Sequence, residues 1–345
     1  MVARVTSTAA LLAMLLLPRP AQAQESTVQW WLFEGRSYHD PLIAGVREPH
    51  IGALGLAWAD RMDFQVSDDD PRRVWDIDLG YEIPILGRES ASSTDGSRVD
   101  DGEWAVGLWI PIDFHMIEDF ADASNPIVNT DYRFGAMLKV QFGVSGSSWV
   151  SGRVSAGHES THLGDEFSLA GQDAFTDTFE RVNVSWEFLD VALLYERVIE
   201  ASFVSGRLGL TTTVPFGDSY YSVDSMSATQ SAVGPVILSH NSVDPYAGFQ
   251  VEWEEVLGDS PGWGIYASTE FRYRSVYDYH RASEDVAEDR QLSVNLIAGL
   301  KKPTGGGPIA TASPYLRFYH GVNPHGQFRN QRGFTLVGLG LRLTL

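Results

Sequence analysis

Most of this 345-residue chain consists of segments in which apolar and polar residues alternate strictly. Successive side chains of a β-strand point to opposite faces of the sheet, so a period of two predicts strands. In 129–142, for example, every second position from Tyr132 to Phe142 is apolar, while Arg133 and Lys139 lie between them. The alternation therefore predicts an all-β fold.

About twelve such segments occur, and many are longer than ten residues, as a tilted membrane-spanning strand requires. The sixth loses its alternation near Phe188-Leu189-Asp190, which predicts a bulge or a hidden turn. The segments lie near 52–66, 73–86, 103–116, 129–143, 148–158, 180–197, 201–215, 245–256, 264–279, 290–301, 313–321 and 333–345.

The polar face of these segments carries many charges of both signs. A soluble sandwich would turn these charges to water, whereas a transmembrane barrel pairs them in its lumen and turns the apolar face to lipid. We therefore expect a single transmembrane antiparallel β-barrel of about 12 strands over 51–345. The charged residues are Asp76, Asp78, Glu82, Arg133, Arg153, Arg207, Glu252, Glu270, Arg272 and Arg317.

Both ends of the chain indicate export to an outer membrane. Residues 1–23 combine a basic start, an apolar run over 9–17 and the small-residue cleavage pattern Ala21-Gln22-Ala23, which predicts a signal peptide. We expect 24–50 to form an N-terminal periplasmic segment. The last six residues, 340–345, resemble the signal read by the barrel assembly machinery, with Leu345 in place of the usual Phe.

The net charge and the loop lengths give predictions about partners and about the orientation of the barrel. The chain has 45 acidic and 25 basic residues, and its net charge of −20 disfavours nucleic acid as a partner. Long connections over 159–179 and 217–244 are typical of the extracellular side, because outer-membrane barrels keep short turns in the periplasm. We expect outer-membrane lipids and the assembly machinery as partners, and the oligomeric state stays open.

The densest polar cluster, 157–167, begins at the predicted extracellular end of the fifth strand. His158 and Ser160 continue the lipid-facing parity of that strand, and an imidazole beside a hydroxyl is the minimal pair for nucleophilic catalysis. His162, Asp165 and Glu166 are candidates to support them. Further candidates at the same rim, on the eleventh strand and the loop after it, are His320, His325 and Gln327.

Other interpretations of this cluster stay open. His158-Glu159-Ser160-Thr161-His162 fits the zinc motif H-E-x-x-H, although that motif needs a helix and this segment alternates as a strand. Asp165 and Glu166 are also suitable ligands for Ca²⁺ at an exposed loop. Alternatively, the cluster only caps the barrel rim. We expect no obligatory cofactor and name no metal ligand set.

Two resemblances follow from these residues. The His158-x-Ser160 pair on a barrel rim resembles outer-membrane phospholipase A and lipid A deacylase, although Thr161-His162 stands where those families commonly have Asn-Gly. Over roughly 33–345 the chain is similar to an uncharacterised family of Gram-negative exported proteins, catalogued as a domain of unknown function. The residues that carry this similarity are Pro41-Leu42-Ile43-Ala44, Arg47-Glu48-Pro49, Asn129-Thr130-Asp131-Tyr132, His158-x-Ser160-x-His162-Leu163-Gly164-Asp165-Glu166 and Tyr319-His320-Gly321-x-x-Pro324-x-Gly326-Gln327-Phe328.

The sequence thus predicts an outer-membrane β-barrel of unknown specific activity, with a polar site at its extracellular rim. One alternative is a lipid esterase or deacylase that uses the Ser-His pair, which is what the first resemblance implies. A second alternative is a narrow channel, although a lumen filled by paired charges disfavours wide diffusion.

Overall fold

A computed structural model describes the chain over 28–33, 38, 41–50, 53–60, 72–90, 98–119, 127–145, 147–162, 180–214, 220–225, 243–257, 262–278, 287–304, 310–326 and 332–344. Within these residues no helix has the length and apolar character needed to cross a membrane.

The described residues form fourteen strands, which pair only in antiparallel fashion. The strands are β1 (Val28–Leu32), β2 (Ala53–Asp60), β3 (Arg72–Ser90), β4 (Trp104–Asp119), β5 (Ile127–Gly143), β6 (Ser148–His162), β7 (Glu180–Ile199), β8 (Ser202–Val214), β9 (Tyr220–Ser225), β10 (Val243–Leu257), β11 (Trp263–Asp278), β12 (Ala287–Pro303), β13 (Thr311–Gly321) and β14 (Phe334–Thr344).

Twelve of these strands close into a barrel. The order runs β3-β2-β14-β13-β12-β11-β10-β8-β7-β6-β5-β4, and β4 pairs with β3 to complete the ring. The predicted fold class and the twelve alternating segments are therefore confirmed. Two short strands were not predicted from the sequence. β1 pairs with the end of β3, and β9 pairs with the start of β7.

The predicted interruption in the sixth segment is wrong. β7 pairs with β6 and β8 through Phe188-Leu189-Asp190 without a shift of register. The alternation looked broken because apolar residues occupy both faces of β7. Ala192 and Leu194 face inward and pack against Tyr246, while the guanidinium of Arg133 lies 3.9 Å from the centre of the Phe188 ring.

The two faces of the wall have opposite chemistry. Outward residues such as Leu208, Leu193 and Leu316 are more than half exposed, as the lipid-facing surface of a barrel requires. Many inward residues are charged, buried and paired with an opposite charge: Arg153, for example, donates to Asp190 at 2.8 Å. Buried charges are costly unless they are paired, so this pattern fixes which face of each strand turns inward.

Residues 42–50 lie inside the barrel, which differs from the expectation of a periplasmic segment over 24–50. Glu48 accepts a hydrogen bond from Arg153 at 2.7 Å and also pairs with Arg207. The Asn295 side chain donates to the carbonyl of Ala44 at 2.7 Å. The segment takes this place because its polar groups complete the charge and hydrogen-bond pairs of the wall, which an apolar lumen would not offer.

A second segment enters the lumen from the connection between β13 and β14. Residues 321–326 are buried, and the backbone amide of Gly326 donates to the Asp131 carboxylate at 2.9 Å. A Cβ at Gly326 would overlap the side chain of Thr161, so this close approach requires glycine. The two inserted segments meet where Arg47 donates to the carbonyl of Pro324 at 3.3 Å.

Candidate functional site

His158 and Ser160 lie near the end of β6 that leads into the long connection 163–179. Both are half-buried and share the outward face with Val154, as the parity of the strand predicts. Glu159, between them, is buried and forms an ion pair with Arg47 in the lumen. Strand geometry thus turns His158 and Ser160 outward, and it turns Glu159, between them, inward to its ion pair with Arg47.

A carboxylate lies beside the outward imidazole. Glu187 on β7 stands directly opposite His158 in the strand register, and its Oε1 is 3.5 Å from His158 Nδ1. The contact involves Nδ1 and not Nε2 of the His158 ring. Ser160 lies two residues along the same face. A hydroxyl, an imidazole and a carboxylate thus lie on the same outward face, and these are the three kinds of group that a hydrolase triad uses.

Sequence reasoning missed Glu187 as a partner of His158. The two residues are brought together by the pairing of β6 with β7, and the long connection 163–179 separates them in sequence. No local motif marks the glutamate. The one signal available was parity, because Glu187 is a charged residue among the outward positions Leu189, Val191 and Leu193 of β7.

The wall around the pair is apolar and aromatic. The ring of Phe134 lies 5.6 Å from that of His158, centre to centre, and Tyr132 stands opposite Ser160 on β5. Farther along the same outward surface, Leu138 and Val154 are each more than 40% exposed. The polar groups therefore lie at the end of an outward apolar surface, as is typical of the lipid-facing side of a membrane barrel.

The zinc-protease arrangement is not formed. The motif H-E-x-x-H binds zinc when a helix brings both histidines and the glutamate to one side, whereas 158–162 lies within β6. Here Glu159 points into the lumen, on the opposite face from His158. A glutamate on the other side of the wall cannot act as the general base for a metal held by His158.

The remaining candidates do not converge on His158. His320 faces outward on β13, where its Nδ1 lies 3.0 Å from the hydroxyl of Thr335 on β14, in another part of the barrel wall. For His162 the structure gives only the backbone pairing with Thr130. Asp165, Glu166 and Gln327 lie outside the described residues.

His325 lies in the lumen, which corrects its predicted place at the rim. It is fully buried on the inserted segment 321–326, and the centre of its ring is 4.5 Å from that of His115 on β4. His115 in turn forms a hydrogen-bonded ion pair with Asp76 on β3. The insertion of the loop, held by Asp131, explains why a residue expected outside is found within.

A family model described as a protein of unknown function (DUF1207) matches residues 32–216, more than half of the chain. This match spans β2 to β8 and includes both His158 and Ser160. Among curated proteins, none matches the chain at a significant level.

The chain is similar to several solved structures. Outer membrane phospholipase A from Escherichia coli is 13% identical, with a TM-score of 0.46, over 86% of this chain and 91% of that one. The translocator domain of the autotransporter NalP from Neisseria meningitidis is 10% identical, with a TM-score of 0.38, over 85% and 87%. The beta domain of the Bordetella autotransporter BrkA is 10% identical, with a TM-score of 0.34, over 85% and 99%.

Proposed function

The chain belongs to the family of proteins of unknown function DUF1207, and we propose that it is an outer-membrane lipid esterase whose site faces the bilayer. In this proposal Ser160 is the nucleophile, His158 the general base and Glu187 the group that orients it. The observation that carries the proposal is the contact of 3.5 Å between Glu187 Oε1 and His158 Nδ1 on the outward face of β6 and β7.

The proposed reaction assigns one step to each of these groups. Ser160 Oγ attacks the carbonyl carbon of an ester, and its proton passes to His158 Nε2. The imidazolium then returns that proton to the leaving alcohol, and Glu187 stabilises the positive ring through Nδ1. Water attacks the acyl-enzyme in the same way and releases the fatty acid. Catalytic hydrogen bonds are commonly long in the absence of substrate, so 3.5 Å is compatible with this role.

The surroundings of the pair favour a lipid as substrate. A side chain on the outer surface of a barrel meets acyl chains and headgroups rather than water-soluble metabolites. Phe134 and Leu138 provide apolar contacts for an acyl chain, while the ester group would lie beside Ser160 at the polar end of the strand. The substrate class is therefore an acyl ester of a membrane lipid, such as a phospholipid or a lipopolysaccharide.

The interior of the barrel gives less support to the alternative of a narrow channel. Residues 42–50 and 321–326 occupy the lumen and meet at Arg47. A conducting pore needs a continuous aqueous path, and buried ion pairs across the lumen oppose one. For the esterase the same filling is favourable, since a rigid interior supports a site on the outside of the wall.

The test is release of fatty acid by the purified full-length chain, in detergent and in vesicles, from phospholipid and separately from lipopolysaccharide. We expect turnover with at least one of these lipids and covalent labelling of Ser160 by a fluorophosphonate probe. Substitution of Ser160→Ala or His158→Ala should abolish both signals. The matched control is His320→Ala, which removes another outward histidine beside a hydroxyl and should leave both signals unchanged.

Two outcomes would contradict the proposal. Absence of turnover with every ester lipid, together with absence of serine labelling, would leave a barrel with a polar rim and no esterase. Turnover that survives Ser160→Ala would place the chemistry elsewhere on the chain.

A further inference from the structure

The interior of the barrel holds a second cluster of chemically competent side chains, and it takes no part in the esterase proposed above. Asp76, His115 and His325 are 4%, 6% and 0% exposed, and one ligand atom from each lies within 4.8 Å of the other two. Asp76 lies on β3 and His115 on the neighbouring strand β4, while His325 belongs to the inserted segment 321–326. From this arrangement we propose that the three side chains bind a divalent transition-metal ion, represented by Zn²⁺.

His325 provides the first argument. It is completely buried, and neither of its ring nitrogens has a hydrogen-bond partner among the residues that the structure describes. A buried polar atom without a partner costs about 1–3 kcal/mol, so native proteins rarely leave one unexplained. An imidazole that lies beside another imidazole and a carboxylate, with its own nitrogens unused, is in the state that a metal ligand needs.

The second argument is that hydrogen bonds fix the position of the backbone around His325. The amide of His325 donates to the Asn323 side chain at 3.0 Å, and Arg274 donates to the Asn323 carbonyl at the same distance. Arg47 donates to the Pro324 carbonyl, and the Gly326 amide donates to Asp131. The segment is thus held from both ends, and these contacts direct the His325 ring towards His115.

The donor set provides the third argument. Two imidazoles and one carboxylate are the ligands that zinc takes in sites with three protein ligands and a fourth position for water. The second oxygen of Asp76 accepts a hydrogen bond from Arg317 at 2.7 Å, which orients the carboxylate as outer-shell partners of metal ligands do. Arg317 also donates to Asn295 at 3.0 Å, so its own position is fixed.

The charges nearby can accept a cation. Asp78 and Asp113 lie on the paired strands β3 and β4, and Asp78 stands directly opposite His115 in the strand register. Oδ1 of each is buried without a hydrogen-bond partner among the described residues. A divalent ion at the cluster would gain from these carboxylates in a region of low dielectric, where attraction between opposite charges is strong.

Binding would also have a structural consequence. A metal held by Asp76, His115 and His325 would cross-link β3, β4 and the segment 321–326. The inserted segment would then be fixed to the wall by coordination as well as by hydrogen bonds, and removal of the metal would loosen it selectively.

The experiment uses the full-length chain without a histidine tag, purified in chelator and then dialysed. We expect it to bind one Zn²⁺ per chain by titration calorimetry, and to bind Co²⁺ with the visible absorption of a nitrogen- and oxygen-ligated ion. His325→Phe keeps an aromatic ring in the cavity but removes the ligand, and it should weaken Zn²⁺ binding by at least about 100-fold. His325→Cys restores a zinc ligand and should recover most of the affinity.

The control is His320→Ala, because it removes a histidine from the strand that leads into the inserted segment but leaves the cluster intact. It should bind Zn²⁺ as the wild type does. Absence of stoichiometric Zn²⁺ binding by the wild type, or equal affinity of wild type and His325→Phe, would overturn the proposal. Ester turnover should be unaffected by chelator, so failure of the metal site and failure of the esterase are separate results.

Discussion

The outward and inward faces near the end of β6 are built on adjacent residues but differ in exposure and in how closely their charges are paired. On the outside, His158 and Glu187 are each about one third exposed, and their contact is loose at 3.5 Å. On the inside, Glu159 is 4% exposed and pairs with Arg47 and Arg133. The wall of the barrel therefore separates a partly exposed, loosely paired histidine and glutamate from a buried, closely paired glutamate.

An inward charge and an outward charge differ in what they indicate about function. Inward charges are numerous, but most of them have partners and are explained by the stability of the lumen. An outward charge has no such explanation, because exposure to lipid is unfavourable for it. Glu187 beside His158 is informative for that reason, whereas Arg272 beside Glu270 is not.

The largest expected effect separates the two faces of β6 directly. Ser160→Ala should lower ester turnover by at least about 10³-fold, as loss of a serine nucleophile does, without a change in the free energy of unfolding. Glu159→Gln should retain turnover but destabilise the barrel by about 3 kcal/mol, since Arg47 and Arg133 lose their buried carboxylate. Fatty-acid release and urea unfolding in micelles measure the two effects. Loss of turnover in Glu159→Gln with intact folding would contradict the division.

The next effect tests the lumen alone. Arg153→Glu should destabilise the barrel by about 3–5 kcal/mol, because the new carboxylate would stand unpaired beside Glu48 and Asp190. The matched control is Arg290→Glu, on an exposed arginine, for which we expect a change below about 1 kcal/mol. Unfolding midpoints in urea give both values. Equal midpoints for wild type and Arg153→Glu would mean that the interior is hydrated.

A smaller effect concerns the inserted segment 321–326. Gly326→Ala should cost about 1–3 kcal/mol, because a Cβ there would overlap Thr161 and disturb the hydrogen bond to Asp131. Gly206→Ala is the control, since a Cβ at that position would meet no atom within 4 Å. Limited proteolysis should cut the connection between β13 and β14 faster in Gly326→Ala. Equal cleavage of both variants would show that the close approach to Thr161 does not hold the segment.

The smallest effect is expected for the outward pair that lacks a carboxylate. Thr335→Ala should change the free energy of unfolding by less than about 0.5 kcal/mol and leave turnover intact, because its contact with His320 is exposed. Combined unfolding and turnover assays check this. A loss of turnover comparable with that of Ser160→Ala would move the site to β13 and β14.

The strands were predictable because the alternation of apolar and polar residues lies within each segment and can be recognised without knowing which strands pair with it. Each of the twelve wall strands has its own apolar and polar faces, and buried charges such as Arg153 mark the inward one. The same logic placed His158 and Ser160 outward. It failed in β7 only because Phe188 and Leu194 are apolar residues on the inward face, where they contact Arg133 and Tyr246 of other wall strands.

The contents of the lumen were not predictable in the same way. Residues 42–50 carry no periodicity, and their position depends on partners such as Arg207 and Asn295 that are distant in sequence. His325 was expected at the rim because its loop follows β13, whereas contacts with distant residues, such as that of Gly326 with Asp131, hold it inside. Such placements arise from tertiary complementarity, which a single sequence does not display.

The path of residues 42–50 also bears on how the barrel folds. Ala44 contacts Ser268 and Asn295, which lie 224 and 251 residues away along the chain. Contacts of such high sequence separation form slowly, because the chain entropy of closing the loop is lost before the contact gains anything. The segment lies immediately before β2, the strand that closes the ring against β14. The contacts of Ala44 can therefore exist only once β11 and β12 have taken their places, which makes them a late event in folding.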